Sequence, residues 1–137
     1  MGGGGSFIYA LHRPDLFSSA CPLSAYVGAL NLEAGKWLLN DEEKEIPESE
    51  LMEYFNTNNA LHLINNGNAD DIKSVRWFID CGDDDFLYEG NSLVHIAMMK
   101  KNIPHEYRVR DGAHNWTYWR SSLPKVLDFV SQGFHQY

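Results

Sequence analysis

Apolar positions cluster along this chain with two different periods. Near the amino end, Phe7, Ile8, Tyr9, Ala10 and Leu11 form an apolar run that reads as a helix, and Pro14 stops it, because proline disfavours helix at the residue before it. Residues 18–24 then read as a buried strand. Residues 75–81 and 106–110 are two further β-like runs. Between them, residues 89–101 read as a helix, with Leu93, Ile96, Ala97 and Lys100 at roughly helical spacing. An amphipathic helix over 122–134 follows. The order strand, helix, strand predicts an α/β domain of about three parallel strands flanked by helices, because a crossover helix makes its two strands parallel and the crossover is right-handed.

Residues 26–58 are too long for a plain loop, so they read as a helical, lid-like insertion above the carboxyl edge of the sheet. Pro47, Glu48, Ser49 and Glu50 mark a helix start leading into Leu51, Met52, Tyr54 and Phe55. The acidic residues Asp41, Glu42, Glu43, Glu45, Glu48, Glu50 and Glu53 read as a solvated face. Residues 59–65 form another short helix, ended by Asn66-Gly67. Residues 66–71 lack the ligand order of a calcium loop and read as a turn.

The crossover gives the two turns that follow the last two strands a shared edge. One is Cys81-Gly82-Asp83-Asp84-Asp85-Phe86-Leu87 and the other is Asp111-Gly112-Ala113-His114-Asn115-Trp116. An aspartate that orients a histidine is two-thirds of a nucleophilic triad. Consecutive side chains leave a turn in different directions, so one carboxylate faces the histidine. Asp85 is the first choice and Asp83 the alternative. His114 is the candidate base, and His12, His62, His95, His105 and His135 are packing or surface residues. Trp116 and Trp119 either wall a substrate pocket or pack the last helix.

Composition narrows the classes. At 137 residues with a formal net charge of −8, the chain is one domain with no basic stripe for nucleic acid. No apolar run approaches the roughly 20 residues that span a bilayer. Cys21 and Cys81 sit in apolar runs and read as free, buried thiols. No metal site or cofactor is implied, and the sequence specifies no compartment.

Met1-Gly2-Gly3-Gly4-Gly5-Ser6 has two readings: a flexible glycine-serine linker, or the back half of a Gly-x-Ser-x-Gly nucleophile elbow with Met1 and Gly2 as its last two positions. The helix–proline–strand continuation favours the elbow. Ser6 then falls inside the helix and is no substitute nucleophile.

These pieces carry a resemblance. Met1-Gly2-Gly3 resembles the tail of a Gly-x-Ser-Met-Gly-Gly elbow, residues 82–85 a Gly-x-x-Asp acid turn, and Gly112-Ala113-His114-Asn115-Trp116 a Gly-x-His-x-Trp turn. Together, from residue 1 to about 134, the chain resembles the carboxyl-terminal half of an esterase of the esterase D type, a partial α/β-hydrolase fold. The resemblance implies a serine carboxylesterase with Asp85 and His114 in its triad and the backbone N–H of Met1 in its oxyanion hole. It implies a small ester substrate, such as a short acyl, feruloyl or acetyl ester or S-formylglutathione, free or carbohydrate-linked. It also implies a fragment whose serine lies upstream, inactive alone, whose open sheet edge favours a homodimer. The rival expectation is a non-catalytic binding module, with Trp116, Trp119, Tyr26 and Trp37 as a carbohydrate or protein surface.

Overall fold

The computed structural model describes residues 1–31 and 46–135. Among them the sheet has three parallel strands in the order β1 (Ser19–Ala20), β2 (Arg76–Asp80) and β3 (Glu106–Arg108). Among the described residues six helices accompany it: α1 (Gly2–His12), α2 (Glu48–Thr57), α3 (Ala60–Asn66), α4 (Ala69–Lys73), α5 (Tyr88–Lys100) and α6 (Trp116–Phe134). This is the α/β arrangement that the strand–helix–strand pattern predicts. No helix among the described residues is long and apolar enough to cross a membrane.

Side chains alternate across β2, and each face has its own cover. Trp77 and Ile79 point into the main core with Phe7 and Ala10 of α1, Ile64 of α3, and Val94, Ala97 and Met98 of α5. The Phe7 and Trp77 rings stack at 5.8 Å. Phe78 and Asp80 face the other way, toward α6, where Phe78 meets Phe129 at 5.4 Å. The central strand is therefore buried on both sides, as parallel strands generally are.

Several boundaries differ from the expectation, for local reasons. The strand read over 18–24 is broken. Ser18, Pro22 and Leu23 still engage β2, but Pro22 has no N–H to continue the ladder. The turn read over 66–71 runs into α4, which starts at Ala69 because the Asn68 side chain caps the N–H groups of Asp70 and Asp71. The last helix begins at Trp116 rather than Ser122, because Asn115 caps the Tyr118 N–H at 3.0 Å. Helix α5 exists, but it buries Gly90, Asn91, Val94, Ala97 and Met98, while Ile96 is exposed. The helix start at Pro47 is α2, with exposed Glu48, Glu50 and Glu53. Asp41, Glu42, Glu43, Glu45 and Trp37 lie outside the described residues, as does most of the first half of the insertion read over 26–58.

Candidate active site

The turns after β2 and β3 meet at the carboxyl edge of the sheet, backbone against backbone. The Asp83 N–H donates to the Arg110 carbonyl at 3.1 Å, and the Asp84 N–H to the Gly112 carbonyl at 3.0 Å. In return the Gly112 N–H donates to Asp83 Oδ1 at 3.0 Å. The approach requires glycine: a Cβ at Gly82 would lie 2.1 Å from the Gly112 carbonyl oxygen. Gly112 has φ +143°, a conformation that L side chains rarely adopt.

This contact brings Asp85 and His114 together. Asp85 Oδ2 lies 3.0 Å from His114 Nδ1, and Oδ1 lies 3.3 Å from it. Asp85 is buried, and its Oδ1 also accepts the Leu87 N–H at 2.9 Å. Because the carboxylate accepts, the imidazole proton sits on Nδ1, which leaves Nε2 with its lone pair free to take a proton. Asp83, the alternative partner, is instead the clasp on Gly112. Two aromatic rings pack against the imidazole: Phe86 at 4.8 Å and Trp119, with its plane at 90°, at 4.9 Å. Trp116 packs against Trp119 at 5.3 Å and is itself exposed.

His114 opens onto a cavity of about 450 Å³ shared with Met1, Gly2, Gly3, Ser6, Cys21, Leu23, Ser24, Trp116 and Trp119. The amino end of α1 faces this cavity. Met1 is its cap and makes no side-chain capping bond. A Cβ at Gly3 would sit 2.4 Å from the Leu23 carbonyl oxygen, so these glycines let α1 lie against the strand segment. Ser6 lines the cavity, with its hydroxyl donating to the Gly2 carbonyl one turn back at 2.9 Å. Phe86 also lines a second cavity, of about 270 Å³, together with Tyr26, Leu30, Leu87 and Glu89.

A buried polar cluster supports the histidine turn from below. Tyr118 donates to Asp80 Oδ1, and Arg110 donates to Asp80 Oδ2 at 3.1 Å and to the Ser122 hydroxyl. The Arg110 guanidinium lies 4.6 Å from the centre of the Tyr118 ring. Burial first, and then the bond to Asp80, raise the Tyr118 phenol well above its ordinary value. The hydropathy pattern does not reveal this cluster, because Asp80 stands inside an apolar strand. Burial, followed by the nearby Asp85 and Asp80 carboxylates, pushes the Cys81 thiol up to about 12, and burial pushes Cys21 up to about 11. Both cysteines are free thiols. Asp83, Asp84 and Asp111 present exposed carboxylates within 4.8 Å of one another, drawn from both turns.

A family model described as "Putative esterase" matches residues 1–130. The chain belongs to that esterase family. Among solved structures, a ferulic acid esterase superimposes on this family member with a TM-score of 0.78 and 33% identity, over 98% of this chain and 48% of that one. FphF, a fluorophosphonate-binding serine hydrolase of Staphylococcus aureus, has a TM-score of 0.69 and 24% identity, over 93% of this chain and 49% of its own. S-formylglutathione hydrolase (FrmB), also from Staphylococcus aureus, has a TM-score of 0.67 and 22% identity, over 94% and 50%. The last two show likeness of fold. No curated protein matches. The esterase-family chain spans about half the length of each of these structures, and its fold is the corresponding part of an α/β-hydrolase.

Proposed function

We propose that this chain supplies the acid and base of a serine carboxylesterase. The observation that carries the reading is the buried Asp85 carboxylate 3.0 Å from His114 Nδ1, in a ring that borders a cavity at the uncapped end of α1. Asp85 holds the tautomer, and Nε2 of His114 takes the proton of a serine hydroxyl as it attacks an ester carbonyl. His114 then returns that proton to the leaving alcohol. The serine is the one the elbow resemblance puts just ahead of Met1. Among the described residues no side chain hydrogen-bonds Nε2 of His114. The Met1 N–H then follows the nucleophile and donates to the carbonyl oxygen as it becomes negative. On this reading the chain is the carboxyl-terminal part of the catalytic domain.

The substrate is a small ester. Aromatic rings at Phe86, Trp116 and Trp119 suit a planar acyl or alcohol group, such as the ferulic acid for which one structural neighbour is named, free or linked to carbohydrate. His114 lines one cavity and its ring neighbour Phe86 the other, so the two cavities are the candidate places for the two halves of such an ester. Among the described residues β1 pairs with β2 on one side, and its other edge presents open backbone groups that a second copy of the chain can cover. A monodisperse monomer in light scattering at high concentration would remove the dimer from this reading.

The test is hydrolysis of p-nitrophenyl acetate and butyrate by this chain beside a version extended upstream by ~130 residues, the size a full domain of this type needs. Activity confined to the longer chain, and lost on His114→Ala, is expected. A folded longer chain with no activity would move the reading to a binding module for carbohydrate or protein.

A further inference from the structure

Ser24 stands out at the rim of the His114 cavity. Its φ is +45°, a left-handed value that, among the described non-glycine residues, it shares only with Asn102. For a serine this region is disfavoured by about 1–2 kcal/mol. The residue is only 5% exposed, and its N–H is pinned to the Asp80 carbonyl at 2.8 Å, at the end of β2. That backbone geometry aims the side chain at one partner: Ser24 Oγ accepts the indole N–H of Trp119 at 2.9 Å. The indole in turn packs against the His114 ring at 4.9 Å, with the planes at 90°. Phe86 bounds the imidazole elsewhere at 4.8 Å.

We propose that Ser24 is a positioning residue for His114, acting through the indole of Trp119. The Asp85 bond fixes one nitrogen of the imidazole but leaves the ring free to swing about that bond. An aromatic wall restricts the swing only if the wall is itself fixed, and the Trp119 N–H has its partner in the Ser24 hydroxyl. A strained backbone next to a functional ring is where such a restraint is expected. The link spans most of the described chain, from the segment after β1 to the first turns of α6. It matters for catalysis on the esterase reading above, but the coupling itself is measured without hydrolysis.

The experiment follows the His114 ring resonances by NMR through a pH titration, in this chain and in Ser24→Gly, Ser24→Ala, Trp119→Phe and the Ser24→Gly, Trp119→Phe double variant. His114 is assigned by the loss of its signals in His114→Gln. Ser24→Gly relieves the backbone conformation, so it keeps the fold even where Ser24→Ala does not. The expected result is that Ser24→Gly moves the His114 ring resonances and its titration midpoint, and has no further effect once Trp119 is already Phe. Two results would overturn the proposal: ring resonances unmoved by Ser24→Gly, or an equal shift from Ser24→Gly in both backgrounds. A shift that passes through Trp119, beside a folded upstream-extended chain that hydrolyses no ester, keeps the coupling and removes the esterase reading.

Discussion

Asp83 Oδ1 accepts the Gly112 N–H at 3.0 Å, and so ties the turn that carries Asp85 to the turn that carries His114. Two backbone bonds run beside it, from the Asp83 and Asp84 N–H groups. Replacing Asp83 by Ala removes the side-chain bond and leaves these two. The expected loss is about 1 kcal/mol in urea unfolding, the net worth of a typical hydrogen bond. Asp83→Asn, which keeps an acceptor, loses less.

Gly82 has no room for a side chain, since its Cβ would meet the Gly112 carbonyl oxygen at 2.1 Å. Backbone cannot rotate aside as a side chain does. Gly82→Ala therefore lowers stability by about 1–3 kcal/mol through overpacking. Gly2, where a Cβ meets nothing within 4 Å, serves as the control. Gly2→Ala leaves the melting temperature unchanged or raises it, because alanine favours helix.

In a chain that hydrolyses esters, Asp85→Asn preserves an acceptor for the Leu87 N–H, so the turn stays folded. The amide no longer selects the tautomer with its proton on Nδ1. Steady-state kinetics are expected to show kcat falling by about 10⁴-fold with little change in KM, as when the acid of a triad is neutralised.

Alkali acts through the thiols. Burial raises Cys21 to about 11 and Cys81 to about 12, from an ordinary value of 9.0. The folded chain thus holds these protons where the unfolded chain has released them. The stability they contribute is complete below pH 9 and declines as pH rises from there toward 11 and 12. Urea midpoints measured from about pH 8 upward should fall, and Cys81→Ala should flatten the decline.

Acid acts through His95. His95 Nδ1 and His105 Nε2 are 2.8 Å apart, and His105 Nδ1 donates to the Ile103 carbonyl at 2.8 Å. His105 therefore accepts at Nε2, and His95 donates to it. Burial first, and then the neighbouring His105, lower His95 from its ordinary 6.5. The folded chain favours the neutral ring, so this stability is present above about pH 6.5 and is lost as pH falls below it. His95→Gln should shrink the difference between urea midpoints at about pH 7.5 and about pH 5.

The three parallel strands and the meeting of Asp85 with His114 are legible in the sequence, because a βαβ crossover leaves little freedom in where its two turns end up. The face of α5 is not. Its buried side includes Gly90, where a Cβ would strike Val27 at 2.5 Å, and Asn91, whose amide donates to the Ala25 and Leu87 carbonyls. A hydropathy pattern counts both as outward-facing and so rotates the helix onto Ile96. The start of α6 is hidden for a similar reason, since Asn115 acts through one capping bond and not through any apolar period. Within the site, Ser24 and Asp83 work through backbone geometry and single polar contacts, which no spacing rule encodes.

The clasp between the two turns has a consequence for how an enzyme of this kind can be divided. Within residues 76–114, the Asp85–His114 contact and the clasp between the two turns are internal to that unit. On the proposed esterase reading, the serine faces that pair from the end of α1, across the cavity. A pair built this way needs its serine nearby in space but not in the same polypeptide. Splitting such an esterase between its elbow and α1 is therefore a route to reconstitution in trans, with activity reporting the reunion of two separately made pieces.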